Sequence, residues 1–155
     1  MGKVAFRAVE SGDIAHIATH LRSADREEIV ASRGEDADPA RCIATAVLRS
    51  SHTWVATVDG VPAAIFGVAP ISLLAGIGSP WMLATDLAQA HPRALVAEGR
   101  RYLSRMRATY PELVNYVDAR NAQSVRWLKR LGFTLHPAAP YGPAGVPFHR
   151  FEMRG

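Results

Sequence analysis

The sequence is poor in cysteine: of 155 residues only Cys42 is one. An internal disulfide is therefore excluded, which suits a reducing compartment. Cys42 lies in the apolar helical run ARCIATAVL and reads as a small core residue, with no His or acid beside it to make it a nucleophile. Long hydrophobic runs are also missing. The most apolar stretch, Val61 to Leu83, is interrupted by Pro62, Gly67, Pro70, Gly76, Gly78 and Pro80. It cannot form one membrane-crossing helix, so no membrane role is expected. The first residues, MGKVAFRAVESGD, turn acidic too early for a secretory signal, and Phe6 stands where a myristoylation motif needs Ser or Thr. A cytoplasmic location is the expectation.

Lysine is nearly absent too. Lys3 and Lys129 are the only two, and arginine supplies the rest of the 18 basic residues that give a net charge of +4. Such a bias favours an anionic ligand. The arginines are dispersed, without a basic block, an aromatic-basic repeat or a zinc-finger spacing, so nucleic acid is not an expected partner. His16 and His20 share a helix face, but Ile17 replaces the Glu of a metalloprotease motif and no third ligand is in view. No metal is expected. Gly76-Ile-Gly78 precedes a strand rather than following one, and Ser50-Ser51-His52 lacks an elbow glycine.

What is present is an alternation of element signals. Lys3 to Glu10 alternates as a strand, and Ser11-Gly12-Asp13 caps a helix carrying Ile14, Ile17 and Leu21. Asp25 to Ser32 and Pro39 to Leu48 are helical, split by GEDAD. The runs 52–58 and 62–72 flank Asp59-Gly60, a tight-hairpin signal. Trp81 to Thr85 reads as a strand, and after a short connection Pro92 to Thr109 as a long helix. Leu113 to Ala119 is a strand and Ala122 to Leu131 a helix closed by Gly132. Phe133 to His136 and Pro147 to Met153 are the last strands, joined by the loop PAAPYGPAG. The order predicts a single mixed α/β domain over residues 1–155.

That order, with N-x-x-S-x-x-W-L-x-x-L-G-F from Asn121 to Phe133, resembles the GNAT N-acyltransferase superfamily. More narrowly, HPRALVAEGRRYL, NYVDARNAQSVRWLKRLGF and YGPAGVPFHRF resemble GNAT-like proteins of podovirus-type bacteriophages. Some of those are taken to be acetyltransferases and some internal virion proteins. The resemblance implies a mixed central sheet of about six or seven strands with helices on both faces. It implies acetyl-CoA, or a related acyl-CoA, wedged beside the central strands, and transfer of its acyl group to an amine by direct attack. It also implies an alternative: a catalytically decayed fold that binds a bacterial host protein or a virion component in the host cytoplasm or the virion.

By the same resemblance the cofactor's arm runs along Leu83, Ala84 and Thr85, its phosphates reach His91 and Arg93, and Asn121 faces it across the cleft. Asn121 serves either as a helix N-cap alone or as cap and cofactor contact at once. Asp86 and Asp118 are the candidate bases, and Tyr141 or Tyr116 the candidate acid. Two departures stand out. The span TDLAQAHPRAL lacks the family's glycine-rich phosphate turn, leaving a few helix N–H groups and Arg93 for that task. Leu128 stands where many members carry an acid tyrosine, and reads with Trp127 as core packing.

Overall fold

The structure, a computed structural model, describes residues 2–154. Strand β1 (Val4–Arg7) is followed by three helices, α1 (Asp13–Thr19), α2 (Ser23–Arg33) and α3 (Pro39–Arg49). Strands β2 (His52–Val58), β3 (Val61–Ser72) and β4 (Ile77–Ala84) then form a meander. Short α4 (Asp86–Gln89) and long α5 (Pro92–Thr109) lead to β5 (Glu112–Asp118), α6 (Ala122–Leu131), β6 (Thr134–Leu135), β7 (Ala139–Tyr141) and β8 (Val146–Met153). The sheet runs β1-β2-β3-β4-β5-β8-β6, with β7 also paired to β8. That makes eight strands, against the six or seven expected. The extra one is β7, in the Pro/Gly-rich segment read as loop. Helix α4 likewise occupies part of the short connection before α5.

Strand alternation builds a core on each face. Val55 and Ile65 join Ile17, Leu21, Ile29 and Ile43 under α1–α3. Their neighbours Ala56, Ala64 and Phe66 face the other way and pack with Tyr102, Leu103 and Met106 of α5 and Trp127 of α6. Cys42 packs against the first core, and Leu128 against the second, as their apolar surroundings in the sequence suggest. The Asp59-Gly60 turn has positive φ at both residues, 50° and 81°, the geometry that keeps a two-residue hairpin in step with strand twist.

All neighbouring strands are antiparallel except β4 and β5, which pair in parallel at only Ile77–Glu112 and Gly78–Leu113. Beyond Gly78 the two strands part. The seam is tight: a Cβ on Gly78 would lie 2.7 Å from the Tyr110 ring and 2.8 Å from Val68. Gly78→Ala should therefore cost about 1–3 kcal/mol through overpacking. Urea unfolding will show this as a lower midpoint at unchanged slope, and an unchanged midpoint would refute it.

Candidate active site in the gap between β4 and β5

Parting exposes the facing edges of two strands, and each N–H and C=O there needs a partner. On β4, Leu83 and Thr85 turn their peptide groups toward β3, the Thr85 N–H donating to Ala63 at 2.9 Å. The alternate residues Pro80, Met82 and Ala84 therefore turn theirs toward the gap. Pro80 has no N–H, and its C=O accepts from the Asn115 side chain at 2.7 Å. Ala84 is engaged twice: its N–H donates to Asp25 Oδ2 at 2.9 Å, and its C=O accepts from the Arg22 N–H, also at 2.9 Å. Across the gap, the Asp118 N–H donates to Glu28 Oε1 at 2.9 Å.

The groups that fill the gap thus come from the start of α2. Arg22 and Asp25 are 1% and 2% exposed. Arg22 Nη2 and Nε hold the Asp25 carboxylate at 2.6 and 3.1 Å. The same guanidinium reaches α6, donating to Ser124 Oγ at 3.0 Å and Gln123 Oε1 at 3.3 Å. Its carbon lies 4.9 Å from the centre of the Trp127 ring. The buried Trp127 indole N–H has no hydrogen-bond partner.

Asn121 sits on the far wall, where β5 gives way to α6. It is buried, and its Oδ1 accepts from Ser124 N at 3.4 Å, which makes it the N-cap expected from its place in the sequence. Its Nδ2 donates to Asp25 Oδ1 at 3.2 Å and Glu28 Oε1 at 3.5 Å. At the other end of α6, Gly132 adopts φ 102° and lets Phe133 turn back onto Phe151, the ring centres 5.0 Å apart.

Burial pushes the Glu28 carboxyl up to about 7, and the nearby Asp25 and Asp118 carboxylates push the same way. The bonds from the Asp118 N–H and Asn121 hold it lower than burial alone would. Asp118 is buried and chelated by Arg120, whose Nη2 and Nε lie 2.7 and 3.0 Å from its two oxygens. Val117 belongs to the α5–α6 core, so Tyr116 and Asp118 project to the α2 face. Tyr116 stacks there on Tyr141, ring centres 4.4 Å apart.

The structure therefore gathers Ala84, Asp118 and Asn121 of the sequence-derived set around the gap. Asp86, His91 and Arg93 lie elsewhere. Asp86 is exposed in the first turn of α4, capped by Thr85 Oγ1, which accepts from Leu87 N. His91 and Arg93 line a hollow of about 770 Å³ between β1 and the start of α5, with Gly2, Phe6 and Tyr102 on its other walls. That hollow holds none of the gap's chemistry. A second hollow of about 600 Å³ lies between α2 and residues 143–146, bounded by Arg26, Glu27 and Arg120.

Sequence reasoning missed Arg22, Asp25 and Glu28. Asp25 to Ser32 reads only as helical, and these three residues take no role in the sequence-derived set. The one available signal was their i, i+3 spacing, which places all three along one helix stripe.

Known folds match this arrangement along the whole chain. The spermidine N-acetyltransferase of Vibrio cholerae, solved with CoA and spermine, superposes with a TM-score of 0.69 at 13% identity, covering 97% of this chain and 94% of that one. AAC(6')-Ib, solved with ribostamycin and coenzyme A, gives 0.70 at 15% identity over 98% and 93%. A GNAT-family acetyltransferase of Streptococcus pneumoniae gives 0.63 at 15% over 99% and 100%. No protein-family profile matches the chain, and no curated protein matches it in sequence. At these identities the likeness is one of fold: the chain adopts the single-domain GNAT architecture that its element order implies.

Proposed function

We propose that the protein is an N-acyltransferase that takes an acyl group from acetyl-CoA or a related acyl-CoA and passes it to an amine. The observation that carries this reading is the parting of β4 from β5 after two residue pairs, in a fold shared with acetyltransferases solved with CoA. An acyl-CoA supplies the activated thioester carbonyl. The residues on the gap edge do not fit its arm in the arrangement described. Pro80 lacks a donor and both polar groups of Ala84 are taken, which leaves only the Met82 peptide unit facing the gap.

Within this reading Glu28 is the base. It lies on the gap, and a carboxyl titrating at about 7 can hold or release a proton near neutrality. Asp118, fixed by Arg120, positions Glu28 through its N–H. The sequence-derived roles complete the proposal. Of these, Ala84 and Asn121 face the arm once the side chains of α2 let go, Leu83 and Thr85 flank it with their peptide groups turned to β3, and His91 and Arg93 offer donors to phosphate. Tyr141 is the acid, and Asp86 is a second carboxylate beyond β4. No helix among the described residues is long and apolar enough to cross a membrane.

A second reading is favoured by the occupied Ala84 edge and by the absence of a glycine turn before α5. In it the fold binds a host or virion protein without turnover. Calorimetry with acetyl-CoA decides between the two. Saturable heat, with thiol release in the presence of a polyamine or peptide amine, is expected for the enzyme. Absence of heat and of any thermal shift at millimolar acetyl-CoA removes the enzyme and leaves the binding protein.

A further inference from the structure

We infer that the start of α2 is an internal latch, closing the β4–β5 gap by taking the hydrogen-bonding groups that an incoming acyl-CoA arm would use. The inference rests on the acyl-CoA reading above. Its physical content is competition. Arg22 N–H and the Asp25 carboxylate satisfy the C=O and N–H of Ala84, and Leu21 and Thr85 form an antiparallel bridge beside them. Leu21 and Arg22 are therefore docked on the free edge of β4 as a short substitute strand, and Asp25 adds its side chain from the first turn of α2. Glu28 does the same for one donor on β5. Asn121 bonds to both carboxylates, and Arg22 ties the segment to Gln123 and Ser124 of α6. Beyond the Asn115–Pro80 bond both walls are thus fastened to α2.

An arm lying along β4 can pair with Ala84 only when Asp25 and Arg22 let go. The observed affinity is then the intrinsic affinity reduced by the fraction of molecules in which α2 has withdrawn. Asp25 is locked by a buried ion pair, whereas Glu28 is held by one backbone donor and one amide, and its burial is unfavourable to its charge. Glu28 is therefore the weaker catch, and releasing it should favour the open gap.

The test uses coenzyme A as the probe, with the wild-type chain and Glu28→Ala. The variant is expected to bind about tenfold more tightly, because the two hydrogen bonds it removes, from the Asp118 N–H and Asn121, together resist opening to about that degree. In the wild-type chain, saturating coenzyme A should speed hydrogen exchange of the α2 amides at residues 27–33 about tenfold or more, since its arrival strips α2 of its anchors. This measurement needs no variant to fold. Equal affinity in the two chains, or α2 exchange unchanged by bound coenzyme A, overturns the latch and leaves the acyltransferase reading standing. Failure of both chains to bind overturns the two together.

Discussion

Arg22→Ala is expected to lower the stability of the protein by about 3–5 kcal/mol, the usual cost of stranding one member of a buried ion pair. The loss does not come from attraction alone. Removing the guanidinium leaves the Asp25 carboxylate without its strongest partner at 2% exposure, and takes donors from Ser124 and Gln123. It also uncovers one face of Trp127. Arg22→Lys should recover little, since an ammonium cannot reproduce the planar fork that grips Asp25 while reaching α6. Equilibrium urea unfolding measures both. A loss under 1 kcal/mol for the alanine variant, or full rescue by lysine, would mean that the pair is not the anchor described. Adding Asp25→Asn to the alanine variant should return part of the loss, because the stranded charge is then gone.

The second large effect belongs to Glu28, and its sign depends on pH. In the unfolded chain this carboxyl titrates near its ordinary value of 4.5; in the folded chain it titrates at about 7. Between those values the folded state holds the extra proton, so stability falls as pH rises through the window and levels off above about 7. The difference amounts to at most about 3 kcal/mol. Glu28→Gln keeps an acceptor for the Asp118 N–H but carries no charge. It should match the wild type near pH 5 and exceed it by up to about 3 kcal/mol at pH 8. Unfolding curves at the two pH values provide the check. A gap of equal size at both would show that the carboxyl is ordinary.

The fold was legible because local signals agreed with one another. Asp59-Gly60 forced a hairpin, Pro92 and Tyr110-Pro111 framed a helix, and Gly132 ended another before the buried Phe133. Strand β4 was read too short because Gly78 and Pro80 weaken a strand signal; they are tolerated where the strand meets its parallel neighbour and then leaves it. Strand β7 was lost because Pro140 and Gly142 mark a loop, yet Ala139–Tyr141 still pairs along β8. At the site, Asn121 could be found because capping is a local act. Arg22, Asp25 and Glu28 could not. Their partners outside the segment are 59 to 102 residues away in sequence, and nothing in a charged helix start says that it will be buried.

The narrow seam between β4 and β5 also divides the sheet into two halves that are each nearly continuous in sequence. The first four strands are consecutive through Ala84, so a chain emerging from the ribosome can complete that meander, with α1–α3 laid on it, before residue 112 exists. Arg22 and Asp25 find Ala84 inside this early unit, but Ser124, Trp127 and Asp118 come only with the later one. The Arg22–Asp25 pair thus takes its β4 partner from the N-terminal half and its cover from the C-terminal half.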